Sequence, residues 1–141
     1  MAHDISLDNL ICRLRNYFIE KQYICAAYLF GSSAKGKSRQ NSDIDLAVVF
    51  CDGIDSIRRF NLKIDMSAEL EEIFGSKVDI VDLESADLYF VHQILLNKIL
   101  IHEKDVHKRV EFEVKSRRGY FDMLPFYKLY HSQAMERLER R

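Results

Sequence analysis

Two short apolar runs set the strongest limit on how this chain can fold. The first, 24–30, is rich in strand-forming residues and stops at Gly31, and the second, 43–50, alternates at first and then becomes wholly apolar. Runs of this length that end in turn residues predict buried strands. Neither approaches the roughly 20 residues needed to cross a bilayer, so we expect a soluble protein with no membrane partner.

Helices are predicted before and after these strands. Apolar residues recur three or four positions apart, which is the spacing of one face of a helix. Gly75 predicts a helix end, because glycine readily adopts the left-handed conformation that closes a helix. The predicted helices cover 6–22, 57–74, 86–97 and 104–124.

Two more strands and a final helix complete the predicted order. Strands are expected at 77–83 and 98–102, and Ser85 is expected to cap the helix between them. Pro125 is expected to break the C-terminal helix, so that a last helix runs toward Arg141. Strands that alternate with helices predict an α/β (α+β) fold with a small mixed β-sheet flanked by helices.

The amino-acid composition argues against some classes of function. A net charge of -1 over 141 residues argues against direct nucleic-acid binding, which usually requires a basic surface. Cys12, Cys25 and Cys51 are odd in number and lack metal-site spacing, so we expect reduced, buried thiols. Residues 1–6 lack the basic and apolar stretches of a signal peptide. These features predict a cytoplasmic location.

A Gly-Ser pair directly after the first strand predicts a phosphate-binding turn. Gly31 has no side chain, so a phosphate can approach its backbone closely. Free amides and the positive dipole at the start of the following helical turn favour anions. Ser32 adds a hydroxyl donor, and Lys35 adds a nearby positive charge.

Acidic residues at the start of the second strand predict a metal site. Asp43 and Asp45 are two positions apart, and the period of a strand places both carboxylates on one face. Two such charges repel unless a cation lies between them, and Mg²⁺ prefers oxygen ligands. Asp79, inside the third strand, is the best third acid. Asp82 is the competitor, but it would point to the opposite face.

These residues carry a resemblance to a known family. The first motif resembles the signature of the DNA polymerase β-like nucleotidyltransferase superfamily, and the size, first helix and third strand resemble its minimal nucleotidyltransferase (MNT) branch. The C-terminal segment is similar to the helices of MntA-type antitoxins. The strings that match are Gly31-Ser32-x-x-x-Gly36, Ser42-Asp43-x-Asp45-Leu46, Val78-Asp79-Ile80-Val81-Asp82, 95–103, 109–114, 120–122 and 125–126.

The resemblance implies a fold, a reaction and a set of site residues. It implies a nucleotidyltransferase-like fold that transfers a nucleoside monophosphate from a triphosphate such as ATP to a hydroxyl group, with two Mg²⁺ ions. The catalytic and metal-binding residues that it implies are Asp43, Asp45 and Asp79, and the nucleotide-binding residues are Gly31, Ser32 and Ser42.

The resemblance also implies a partner. MNT proteins are commonly paired with a HEPN-domain ribonuclease toxin, and some neutralise it by adding AMP to a tyrosine. We therefore expect an antitoxin with an MNT domain at 1–103 and a C-terminal helical extension at 104–141 packed on the same domain. Two alternatives stay open at this point. The chain could mask the toxin sterically without catalysis, or it could modify a small-molecule or RNA acceptor.

Overall fold

The computed structural model describes residues 6–35 and 43–140. Five helices and four strands alternate along these residues. The helices are α1 Leu7–Ile19, α2 Gly31–Ala34, α3 Ser56–Phe74, α4 Leu88–Leu96 and α5 Val106–Glu139, and the strands are β1 Ile24–Phe30, β2 Ile44–Phe50, β3 Val78–Asp82 and β4 Ile99–Glu103.

The four strands form one mixed sheet, which confirms the predicted class. Their order is β3-β2-β1-β4. Strand β1 is antiparallel to β2 and to β4, whereas β2 and β3 are parallel. The parallel pair is joined by α3, as a crossover between parallel strands requires. The sheet therefore places β1 and β2 at its centre, with β3 beside β2.

Each face of the sheet has its own apolar core, because successive side chains of a strand point to opposite faces. On one face, α1 and α3 cover Leu46, Val48 and Phe50. On the other face, α4 covers Ala47 and Val49, among others. The two clusters contain 15 and 8 buried residues, so the sheet is the middle of three layers.

Helix α5 is held to the second face by charged groups as well as by packing. The carboxylate of Glu113 accepts a hydrogen bond from the hydroxyl of Tyr28 at 2.9 Å and from Nη1 of Arg109 at 2.6 Å. Nζ of Lys98 lies 2.8 Å from the same carboxylate, and Arg109 also pairs with Glu103. A buried carboxylate with this many donors is well satisfied, so the network fixes the first half of α5 against β1 and β4.

Two predicted boundaries are wrong. Helix α5 continues through Pro125 to Glu139 instead of breaking there. A proline removes one backbone hydrogen bond, to the carbonyl of Phe121, but the helix is exposed at this point and water can serve that carbonyl. Ser85 does not cap α4, because its hydroxyl donates to Asp82 at 3.0 Å and Asp87 occupies the N-cap position.

One burial prediction is also wrong. Cys12 is exposed on α1, although Cys25 is buried and Cys51 is half-buried. The apolar residues that marked α3 are mostly exposed, and its buried side chains are Met66 and Leu70. No helix in the described parts of the chain is both long enough and apolar enough to cross a membrane.

Candidate functional site

The turn between β1 and α2 requires glycine at position 31. Gly31 has a φ of 73°, in the left-handed region that disfavours side chains. A Cβ built there would collide with Oδ2 of Asp45. The backbone of the turn and the Asp45 carboxylate are therefore in close approach, and the carboxylate occupies the space that a side chain at position 31 would need.

Strand register brings the three predicted acids together. Asp45 pairs with Asp79 on the parallel neighbour β3, and on its other side Asp45 pairs with Phe30 of β1. Asp43 lies one residue before β2 begins, two positions from Asp45 and on the same face. The structure thus places these carboxylates at one end of the sheet, directly beside the Gly31 turn.

Burial and mutual repulsion raise the pKa of Asp45. Asp45 is half-buried, whereas Asp43 and Asp79 are exposed. Loss of hydration is the largest cause that raises the pKa of this carboxyl, followed by the negative charges of Asp79 and then Asp43. An oxygen-rich site in which like charges repel is one that a cation would stabilise.

The three carboxylates have the chemistry that a hard divalent cation requires of its ligands. Three carboxylates on adjacent strands supply the oxygen ligands that Mg²⁺ prefers, and Asp43, Asp45 and Asp79 are the residues that would hold it. Over 6–35 and 43–140, no group of three or more aspartate, glutamate, histidine or cysteine side chains is arranged so that it could hold a metal ion without side-chain movement. The exposed side chains of Asp43 and Asp79 are free to turn toward Asp45.

Serines link the turn to the start of β2. Ser32 is exposed at the first turn of α2, and its carbonyl accepts a hydrogen bond from the amide of Lys35 at 3.1 Å. Ser33, which sequence reasoning did not single out, is buried and donates to the carbonyl of Asp43 at 3.0 Å. Nothing in the spacing distinguished Ser33 from Ser32. Ser42 lies outside the described residues.

Asp82 is separated from the site. It lies at the end of β3 on the opposite face, where its carboxylate accepts from Nε of Arg59 at 2.8 Å and from the amide of Glu84 at 3.1 Å. Its partners tie β3 to α3 and to the turn after β3. The structure therefore gives Asp82 a structural role and leaves Asp79 as the third acid at the open end.

The comparison with protein families identifies a domain. The family model described as "Polymerase beta, Nucleotidyltransferase" matches residues 13–107, which include the turn and all three acids. This range is about two thirds of the chain. The acids and the turn described above thus lie inside the matched region, and all of α5 after its first two residues lies outside it.

Two named relatives share part of the sequence. Protein adenylyltransferase MntA of Shewanella oneidensis is 41% identical over 68 residues, which are 48% of this chain and 46% of MntA. The matched part thus spans about half the length of that relative. MJ0435 of Methanocaldococcus jannaschii, whose name assigns it provisionally to the protein adenylyltransferases, is 34% identical over 86 residues, 61% of this chain and 83% of the relative.

Solved structures of toxin–antitoxin complexes share the fold. A chain of a toxin–antitoxin complex with AMP-PNP is 26% identical, with a TM-score of 0.73, over 89% of this chain and 98% of that one. A chain from the complex of tri-AMPylated Shewanella oneidensis HEPN toxin with MNT antitoxin is also 26% identical, with a TM-score of 0.64, over 87% and 98%. The likeness therefore extends through most of the C-terminal helix.

Proposed function

This chain belongs to the polymerase β nucleotidyltransferase family, and we propose that it is an antitoxin that transfers AMP from ATP to a tyrosine hydroxyl of a HEPN ribonuclease toxin. One observation carries the proposal: Asp43, Asp45 and Asp79 share one open end of the sheet, beside the Gly31 turn. The names of the relatives support the reaction, and the AMP-PNP and tri-AMPylated toxin complexes support the donor and the acceptor.

The residues of the site have distinct roles in this proposal. The Gly31 turn, Ser32 and Ser42 bind the triphosphate, because exposed backbone amides and hydroxyls suit phosphate oxygens. Mg²⁺ bound by the three aspartates, as two ions, would neutralise the charge of the carboxylates and phosphates. Asp79 accepts a hydrogen bond from the acceptor hydroxyl and orients it, and Asp45 helps to hold the cation that would neutralise the α-phosphate.

The transfer forms one phosphorus–oxygen bond and breaks another. The phenol oxygen of the acceptor tyrosine forms a bond to the α-phosphorus, and the bond from that phosphorus to the bridging oxygen of the β-phosphate breaks. Pyrophosphate leaves with the electron pair of that bond. The phenol proton passes to the carboxylate of Asp79, which is exposed and so can reach the acceptor and later release the proton to water. The bulky, charged product would then exclude RNA from the toxin site.

The proposal treats residues 1–103 as the transferase unit and 104–141 as a helical extension on the same domain. The Glu113 network described above supports this arrangement, because it joins α5 to two strands of the sheet. We also propose a cytoplasmic location, where ATP is available, and the three free cysteines agree with it.

The test is label transfer from ATP that carries a radioactive α-phosphate. The purified chain is mixed with Mg²⁺ and a candidate HEPN-domain partner protein, and Asp45→Asn serves as the inactive control. We expect label on the toxin with the wild type and none with the variant. Equal labelling by both would contradict the site. Neutralisation of the toxin by Asp45→Asn without any labelling would instead support a steric mask.

A further inference from the structure

The amino-acid composition of helix α5 changes after Gly119. From 119 to 135, Asp122 and Lys128 are the only fully charged residues, and five of the eleven residues from 120 to 130 are aromatic. Phe126 and Tyr130 are 63% and 73% exposed. Depletion of charge together with enrichment of aromatic residues and methionine is the composition of an interface core and not of a solvated helix surface. We call residues 120–138 the docking helix.

Apolar side chains point to most sides of the docking helix. At 100° per residue, Phe121, Leu129, Phe126 and Tyr130 together span an arc of about 180°. Tyr127, which lies outside this arc, faces α4, where its ring centroid is 5.5 Å from that of Tyr89. A helix that is apolar on most sides is normally buried. A flat surface cannot cover such an arc, whereas a groove between helices can.

The docking helix begins where α5 reaches the carboxylate end of the sheet. Lys108, early in α5, pairs with Asp52 at the far end of β2, and Glu113 is level with Tyr28 in the middle of β1. The helix therefore runs along the sheet toward the end that carries Asp45. With a rise of about 1.5 Å per residue, the docking helix extends about 27 Å further.

Aromatic contacts connect the docking helix to the catalytic turn. Tyr120 stacks on His92 of α4 with ring centroids 3.6 Å apart. Two residues before His92 on α4, the ring of Phe90 lies 6.2 Å from that of Phe30, the residue before Gly31. Helix α4 therefore packs against both the docking helix and the strand end that precedes Gly31, at the edge where an acceptor must arrive.

A second exposed apolar stripe competes for the same role. Ile57, Phe60 and Ile64 lie at helical spacing on α3 and are all at least half exposed. However, α3 packs on the face opposite to Asp45 and Asp79, so a partner bound there would be held away from the carboxylates. The position of the carboxylates therefore favours the docking helix as the surface that holds the acceptor.

Resting on the proposed function, we propose that the docking helix inserts between helices of the acceptor protein and holds its target hydroxyl at the carboxylate edge. The occupant is the modified partner, because group transfer requires it at this end of the sheet. The Glu113 network gives the docking helix a fixed direction relative to the site. Docking and catalysis are then separate functions of one rigid unit.

The test compares matched changes from apolar to acidic residues. Phe126→Glu and Leu129→Glu change the docking helix, and Phe60→Glu makes the same change at a similarly exposed position of α3. All are full-length proteins whose folding is checked by circular dichroism. Affinity for the HEPN-domain protein is measured by calorimetry, and label transfer is followed at low and at saturating toxin concentration. Asp45→Asn is included to report on catalysis alone.

We expect both docking-helix variants to bind the toxin at least about tenfold more weakly and to recover transfer at saturating toxin. Phe60→Glu and Asp45→Asn should bind as the wild type does. Wild-type affinity in both docking-helix variants, or equal weakening by Phe60→Glu, would overturn the proposal. So would a wild-type homodimer that Phe126→Glu dissociates without any change in toxin affinity. A last outcome separates the two proposals. If Phe126→Glu weakens binding but the wild type does not label the toxin, the docking helix is supported and the proposed reaction is refuted.

Discussion

One face of the sheet has two contrasting ends. At one end, Ala47 and Val49 are fully buried under α4. At the other end of the same strand, Asp45 points to the same face and is only half-buried, with Asp79 beside it. The covered end supplies stability, and the open end leaves charged groups accessible at a cost in repulsion. Strand alternation thus allows one strand to serve the core and the chemistry without a separate active-site domain.

The largest expected effect distinguishes Asp79 from Asp82, two acids of β3. Asp79→Asn at the open end should lower AMP transfer about a thousandfold while the free energy of unfolding stays unchanged or rises, because repulsion with Asp45 is removed. Asp82→Asn should lower stability by about 2 kcal/mol, since it weakens the pair with Arg59, but should keep transfer within a few-fold. Urea unfolding and label transfer measure the two quantities. Equal loss of transfer in both variants would contradict the assignment of a catalytic role to Asp79 and a structural role to Asp82.

A change at the covered end should lower stability and leave AMP transfer intact. Ile94 is buried at the interface of α4 with the sheet, and Ile94→Ala should lower the free energy of unfolding by about 3 kcal/mol because it leaves a cavity. At a temperature where the variant remains folded, transfer per molecule should stay near that of the wild type. Loss of activity without loss of stability would show that the two ends are not independent.

The Gly31 turn offers a test with a matched glycine. Gly31→Ala and Gly75→Ala both force a side chain onto a positive φ, at 73° and 67°, so each should cost about 1 kcal/mol of stability. Only at Gly31 does the added Cβ collide with Asp45, whereas nothing lies within 4 Å at Gly75. Gly31→Ala should therefore lower transfer by at least about tenfold and Gly75→Ala should not. Thermal melts and label transfer compare the two variants.

The smallest expected effect concerns acid sensitivity. Burial raises the pKa of the Glu113 carboxyl, but hydrogen bonds from Lys98, Arg109 and Tyr28 outweigh it and hold the pKa below the ordinary value of 4.5. The stability that this group contributes is therefore present above pH 4.5 and is lost as the pH falls below it.

Glu113→Gln serves as the control for that effect, because it has no carboxylate to protonate. Thermal melts between pH 7 and pH 3.5 should show a smaller acid-induced fall in melting temperature for the variant than for the wild type. An identical fall in both proteins would remove Glu113 from the causes of acid sensitivity.

The open end was predictable from the sequence because its signals are local. Two apolar runs defined β1 and β2, and the alternation of Asp43 and Asp45 with Ile44 fixed the face of the carboxylates. Asp79 followed from an acidic residue inside an apolar strand. Each inference needed only neighbours in sequence and the period of a strand.

Other features depend on long-range contacts and had no local signal. Periodicity marked α3 as a helix, but the side that packs on the sheet carries Met66 and Leu70, while Ile57 and Phe60 are exposed. The bond from Ser33 to the Asp43 carbonyl and the network around Glu113 join residues whose partners only the fold brings together. The continuation of α5 through Pro125 depends on solvent at an exposed carbonyl.

The central claim is that Asp45 and Asp79 act as one site, and a double-mutant cycle on the transfer rate tests it most directly. Asp45→Asn, Asp79→Asn and the double variant are compared with the wild type by label transfer to the HEPN toxin. If the two carboxylates act as a unit, the double variant should be no more than about threefold slower than the slower single variant. Losses that multiply in the double variant would show two independent contributions and would contradict the account.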